Sequence, residues 1–139
     1  MNILVAGATG KTGIRVTEQL REQGHTPIAL VRDSSDTSAL ASDVVLRKGD
    51  LTNLTSDACE GCDAVIFAAG SGGSSGPEMT DKVDRVGAKD LIDLAARSDV
   101  SRFVMLSSVG ADTPDPDSEL AHYLQAKHDA DVHLQYSGL

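Results

Sequence analysis

The sequence predicts an α/β fold, a doubly wound parallel sheet in the strand order 3-2-1-4-5. Three observations predict it. Short apolar runs alternate with helical patterns along all 139 residues, which implies βαβ units and a parallel sheet. The first apolar run, Met1 to Ala6, leads straight into Gly7-Ala8-Thr9-Gly10-Lys11-Thr12-Gly13, and a helical pattern follows. Finally, the glycines, serines and charged residues with chemical potential cluster where the predicted strands end. Right-handed crossovers then leave the 3-2-1-4-5 order as the simplest arrangement, with a ligand crevice between strands one and four.

Strand one is expected over 2–6 and the first helix over 11–23, ended by Gly24-His25. Strand two covers 26–32, and Val44–Arg47 forms a short third strand closed by Gly49-Asp50. Leu54–Cys59 reads as a short helix, and 63–68 as strand four, ending in Ala69-Gly70. Ser71–Pro77 is low in complexity and reads as a flexible loop at the carboxyl edge of the sheet. A long helix is predicted over 78–98, its apolar side carrying Val83, Val86, Leu91, Leu94 and Ala95. Strand five follows at 102–107. Asp112–Asp117, with Pro114 and Pro116, is a loop, and a last helix opens at Ser118 or Glu119 and reaches Tyr136.

A chain of this length reads as one domain with a core of its own. Net charge is −9 and the pI is near 4.7, so nonspecific binding to nucleic acid or an anionic membrane is disfavoured. No apolar run is long enough to span a bilayer, and the N-terminus lacks the pattern of a signal peptide, so a cytoplasmic protein is expected. Cys59 and Cys62 form a single C-x-x-C with no second pair to complete a zinc site. They read as two reduced thiols, with a redox pair as the alternative. His25, His122, His128 and His133 show no metal spacing, and no metal site is expected.

Glycines three residues apart between a strand and a helix suit a phosphate-binding turn. Gly7 permits the tight exit from the strand, Gly10 lets a pyrophosphate approach the backbone, and Gly13 lets the helix pack on the sheet. The free N–H groups at the helix start, with the positive end of its dipole, hold the anion. A merely structural turn is the rival reading. Lys11 and Arg15 lie beside it, either assisting a phosphate or simply exposed.

NAD-binding sheets end strand two in a carboxylate that bonds the ribose 2′-hydroxyl. Here that position is Val31, followed by Arg32, whose guanidinium suits a 2′-phosphate. NADP is therefore expected over NAD, although Arg32 could be solvated or neutralised by Asp33. Asp50 and Leu51 suit adenine recognition, unless Asp50 only caps its turn. Ala68, Ala69, Gly70 and Ser107 lie at the ends of strands four and five and complete the expected cofactor site.

Tyr123-Leu124-Gln125-Ala126-Lys127 puts a phenol and an ammonium on one helical face. A neighbouring cation lowers a phenol's pKa toward the range of a general acid, so Lys127 is expected to tune Tyr123. Ser108, at the end of strand five, is placed to polarise a substrate carbonyl. A Tyr/Lys pair on a solvated surface is the plainer reading.

These segments together carry a resemblance. Gly7–Gly13, Gly24-His25, Leu30-Val31-Arg32, Gly49-Asp50-Leu51, Ala68–Gly70, Arg102–Gly110 and Tyr123–Lys127 resemble the short-chain dehydrogenase/reductase superfamily, in its atypical NAD(P)H-binding, NmrA-like branch. The likeness implies a Rossmann fold binding NADP and a Ser108, Tyr123, Lys127 catalytic set, with Lys127 also bonding the nicotinamide ribose. It implies an oxidoreductase passing hydride to a small carbonyl, quinone or flavin-like acceptor, working as a monomer or homodimer. A non-catalytic NADP-binding regulator acting through a protein partner is the alternative, and sugar-nucleotide epimerase chemistry ranks third. Two departures stand out. Asp84 occupies a place where the superfamily commonly has asparagine. The sequence also stops at Leu139, before an expected sixth strand, which implies the N-terminal part of a chain of roughly 200 residues lacking its C-terminal strands.

Overall fold

A computed structural model describes residues 1–71 and 76–139. Five strands, β1 (Asn2–Ala6), β2 (Thr26–Val31), β3 (Val45–Lys48), β4 (Ala64–Phe67) and β5 (Arg102–Met105), form one parallel sheet in the order β3-β2-β1-β4-β5. The sheet has the predicted order because β1 is apolar on both faces and so takes the middle. Val5 pairs with Ala29 on one side and Ile66 on the other. Successive β1 side chains point to opposite faces. Leu4 and Ala6 join Val65, Phe67 and Leu91 in one core, while Val5 packs with Ala29, Val31 and Val16 in the other.

Helix α1 (Lys11–Glu22) covers the second core. The opposite face is covered by α2 (Pro77–Met79), a π-helical segment (Thr80–Gly87), α3 (Ala88–Ala96) and α4 (Ala121–Gln135). The long helix predicted over 78–98 is thus broken in character. Its wide π turns, a feature frequent at functional sites, bury Thr80, Asp84 and Gly87. The α-helical reading had placed Val86 inward, but it stands half exposed at 50%.

The predicted helix over Leu54–Cys59 is absent. Ala58, Glu60 and Cys62 donate their N–H groups three residues back in successive turns. The Arg47 guanidinium captures the carbonyls of Ala58 and Glu60 at 2.9 and 2.8 Å, which removes them from any helical ladder. The last helix begins at Ala121 rather than Ser118, because Ser118 Oγ and its carbonyl instead close a turn onto Leu120 and Ala121. The loop expected over Ser71–Pro77 falls largely outside the described residues. Cys59 and Cys62 are buried free thiols, and burial pushes Cys59 up to about 11. Among the described residues, no helix is long and apolar enough to cross a membrane.

Candidate functional site

The loop between β1 and α1 shows why glycine stands where it does. Gly7 has φ +81°, and a Cβ there would lie 2.4 Å from the Ala69 nitrogen. A Cβ on Gly13 would lie 1.9 Å from the Gly7 carbonyl oxygen. These two glycines serve the protein's own packing. Gly10 differs: its backbone is extended, and a Cβ would meet only the Gly7 oxygen, at 3.4 Å. Nothing among the described residues demands glycine there, and Gly10 lines a cavity. Among the described residues no side chain caps α1, so its first-turn N–H groups keep their anion-binding capacity.

That cavity measures about 550 Å³ and lies at the carboxyl ends of the strands. It brings together Gly7, Thr9, Gly10, Arg32, Asp50, Leu51, Ala68, Ala69 and Gly70 from the predicted cofactor set. Arg32 lies exposed at its rim, and Asp33, which could have neutralised it, pairs instead with Lys48 at 3.2 Å. Among the described residues no carboxylate reaches Arg32 within ion-pair distance. Its backbone N–H donates to Ser35 Oγ at 3.0 Å, drawing that hydroxyl into the cavity wall.

Asp50 Oδ1 accepts from the Thr52 N–H at 2.9 Å and the Thr52 hydroxyl at 2.8 Å. These bonds hold its carboxyl below the usual range, with a smaller contribution from Arg32. Asp50 therefore caps its turn and lines the cavity at once.

The remaining predicted residues lie elsewhere. Ala8 and Gly13 are buried in the turn, and Lys11 is exposed. Thr12 faces a separate apolar groove of about 340 Å³, with Val16, Leu20, Ile66, Val104 and Leu106. Ser107 Oγ donates to Asp131 on α4, and Ser108 is half-buried at a turn in which its carbonyl accepts from the Ala111 N–H at 3.1 Å. A further concavity of about 590 Å³, between α3 and α4, holds none of the predicted residues. His122 bonds Asp81 at 3.0 Å on the surface. Among the described residues no His, Cys, Asp and Glu cluster could hold a metal.

Tyr123 and Lys127 both lie on α4, but the expected tuning is reversed. The Tyr123 phenol is pushed above its ordinary value, first by burial and then by the charge of Asp84. At neutral pH it keeps its proton, as a proton donor must. Lys127 is not a surface partner at all: it is 1% exposed. Its ammonium lies 5.4 Å from the Phe67 ring centroid and donates to Met105 Sδ at 3.8 Å. Burial pulls its pKa down, while Asp84 and Asp131 pull it back up.

Sequence reasoning missed several wall residues, among them Ser35, Ser71, Met79, Lys82 and Val83. Ser35 and Ser71 were findable, since each follows a predicted site residue by a short step. Lys82 and Val83 depend on the π-helical geometry, which has no sequence signature of its own.

A family profile described as NAD(P)H-binding matches residues 7–139. A Bacillus subtilis protein named as the uncharacterized sugar epimerase YhfK is 36% identical over 100% of this chain and 68% of its own length. A Bacillus halodurans structure, provisionally named an NAD-dependent epimerase/dehydratase, is 39% identical with a TM-score of 0.89, covering 100% of this chain and 66% of that one. The oxidoreductase ylbE of Lactococcus lactis superposes with a TM-score of 0.82 at 28% identity, over 98% of this chain and 64% of its own. The chain spans about two thirds of the length of these relatives. With the five-stranded sheet and the glycine turn, this match places the chain in the NAD(P)H-binding family of the short-chain dehydrogenase/reductase and epimerase superfamily.

Proposed function

We propose that the chain carries an NADPH-dependent oxidoreductase site that reduces a small carbonyl, quinone or flavin-like acceptor. One observation carries this reading: a single cavity joins the α1 N-terminus and the open Gly10 position to Arg32, a guanidinium that no carboxylate of the described residues reaches within ion-pair distance. The pyrophosphate is assigned to the α1 turn, and the 2′-phosphate to Arg32 with the Ser35 hydroxyl beside it. Asp50 and Leu51 take the adenine end. That site would hold NADPH, whose chemistry when bound would be hydride donation to the acceptor. Tyr123 gives its proton to the acceptor oxygen, Ser108 orients that oxygen, and Lys127 holds the ribose and the local charge. The protein is assigned to the cytoplasm, acting on a small molecule as a monomer or homodimer, with no nucleic-acid or membrane partner.

Fluorescence titration with NADPH and NADH tests the cofactor. Arg32→Ala should weaken NADPH at least tenfold, about 1.4 kcal/mol, and leave NADH within threefold. Equal losses for both would reject NADP. Turnover with aldehydes, quinones and flavins then tests the chemistry. If NADPH binds but neither the native chain nor Tyr123→Phe oxidises it, a non-catalytic NADP-binding regulator is the better reading. The names of the relatives favour a further alternative, a redox-neutral epimerase or dehydratase. Such an enzyme returns the hydride, so nucleotide-sugar substrates would be converted with no net consumption of cofactor.

A further inference from the structure

The π-helical segment contributes Lys82 and Val83 to the wall of the cofactor cavity, with Met79 just before them. Gly87 fixes where this wall stands. A Cβ on Gly87 would lie 3.0 Å from the Leu51 carbonyl oxygen and 3.1 Å from the Leu51 Cβ, and 2.9 Å from the Lys82 oxygen. A π turn brings residues five apart together, so Lys82 stands one turn from the point where the segment meets Leu51. That is the end of the cavity assigned to adenine. The segment's other charges are taken up by α4. His122 bonds Asp81 at 3.0 Å, and Arg85 reaches Asp129 at 3.1 Å. Lys82 differs: among the described residues its ion pair is with Glu78, one turn earlier, at 3.0 Å and with both side chains largely in water. A solvated i, i+4 pair holds weakly, so this ammonium is available to a better acceptor. Asp50 lines the same cavity, and among the described residues it forms no ion pair with Lys82. Thr52 occupies its Oδ1 twice, which leaves Oδ2 to accept from a ligand.

We propose that Lys82 is a base-reading residue of this site, held in reserve by Glu78: its ammonium leaves Glu78 to donate to a ring nitrogen of the adenine whose exocyclic amine donates to Asp50. The identity of the ligand rests on the proposed function. An ammonium and a carboxylate that line one cavity without meeting leave room for an edge presenting an acceptor beside a donor. Adenine has that edge, its amine standing next to ring nitrogens. Hypoxanthine puts a carbonyl where the amine was, and two oxygens then face each other at Asp50. Guanine needs two acceptor oxygens for its neighbouring N–H groups, and Thr52 has taken one of the two. Leu51, Met79 and Val83 supply apolar surface for the flat ring. The two cations of the cavity thus divide the ligand, Arg32 taking the 2′-phosphate and Lys82 the base. Glu78 competes for Lys82, so the free site carries a built-in restraint on its own affinity.

The test is a fluorescence titration of the native chain, Lys82→Ala, Glu78→Gln and the double variant with three ligands. These are NADPH, NADH and reduced nicotinamide hypoxanthine dinucleotide, in which a carbonyl replaces the adenine amine. Lys82→Ala should weaken NADPH and NADH by the same factor, about fivefold, because both carry adenine. A loss confined to NADPH would make Lys82 a phosphate contact and overturn the base reading, as would no loss for either. Glu78→Gln should tighten both dinucleotides about twofold, and the gain should vanish when Lys82→Ala is added. A gain that persisted there would mean that Glu78 acts on the ligand directly, and would overturn the competition. The hypoxanthine dinucleotide should bind the native chain about tenfold more weakly than NADH, since its carbonyl leaves Asp50 unpaired. Equal binding would overturn the paired reading of the base edge. A native chain that binds neither NADPH nor NADH would overturn the cofactor reading and this inference with it. If both bind and Arg32→Ala is selective for NADPH, yet Lys82→Ala changes nothing, this inference alone fails.

Discussion

The two ends of the site are built in opposite ways. At the α1 turn, the proposed phosphate site consists of backbone N–H groups and of glycines that keep space open, with Arg32 exposed at the rim. At the α4 end, the proposed proton donor and its neighbours are side chains taken out of water: Lys127 at 1% exposure, Asp84 at 0% and Tyr123 half-buried. A phosphate is a strongly solvated anion that binds through many weak dipoles, so its site can stay near the surface. A proton donor needs its charge state fixed, and burial beside one chosen charge does that. Loss of a phosphate contact should therefore cost affinity alone, and loss of a buried charge should move proton affinities.

The sharpest way to break this contrast is within the glycine turn itself. Gly13→Ala forces a methyl group to 1.9 Å from a backbone oxygen, and should cost about 3 kcal/mol or more in urea unfolding. Gly10→Ala, three residues away, should cost less than about 1 kcal/mol, because its extended backbone accepts a side chain. It should nonetheless weaken NADPH at least tenfold in a fluorescence titration, about 1.4 kcal/mol. If both variants lost stability equally, Gly10 would be a packing residue and the ligand reading of the turn would fail.

The smallest expected effect lies at the buried end. In a Tyr136→Phe background, phenolate absorbance reports Tyr123 alone, and its midpoint should lie above the ordinary value near 10. Adding Asp84→Asn should lower that midpoint, since a negative neighbour no longer opposes ionisation. The sign carries over to stability. The raised Tyr123 value means that the folded state keeps its proton longer than the unfolded one. Its contribution is intact below about pH 10 and is lost as the pH rises through the folded-state value. A midpoint that did not move in Asp84→Asn would remove Asp84 from the environment of Tyr123.

That the residues expected at the cofactor end share one cavity was largely legible, because their determinants are local. Gly7 to Gly13 follow one strand and open one helix, and the strand ends carrying Arg32, Asp50 and Gly70 are placed by crossover rules alone. The α4 end was half legible. The spacing of Tyr123 and Lys127 put them on one face, but helical spacing does not say whether that face meets water or protein. Lys127 was read as a tuning cation for Tyr123, whereas burial and Asp84 govern both groups. The turns at 54–59 escaped for a similar reason: Arg47, in β3, reaches forward to take carbonyls that an isolated segment would have kept.

By itself, then, the sequence determined the order of strands, the glycine turn and the basic residue at the end of β2. Those features follow from short-range patterns and from the handedness of the chain. Only the tertiary structure decided that a π-helical segment turns Asp84 inward, that Ser71 clamps it, and that Lys127 is buried beside Phe67. Burial and the pairing of charges depend on which distant segments are packed together, and a linear pattern of residues does not contain that distance.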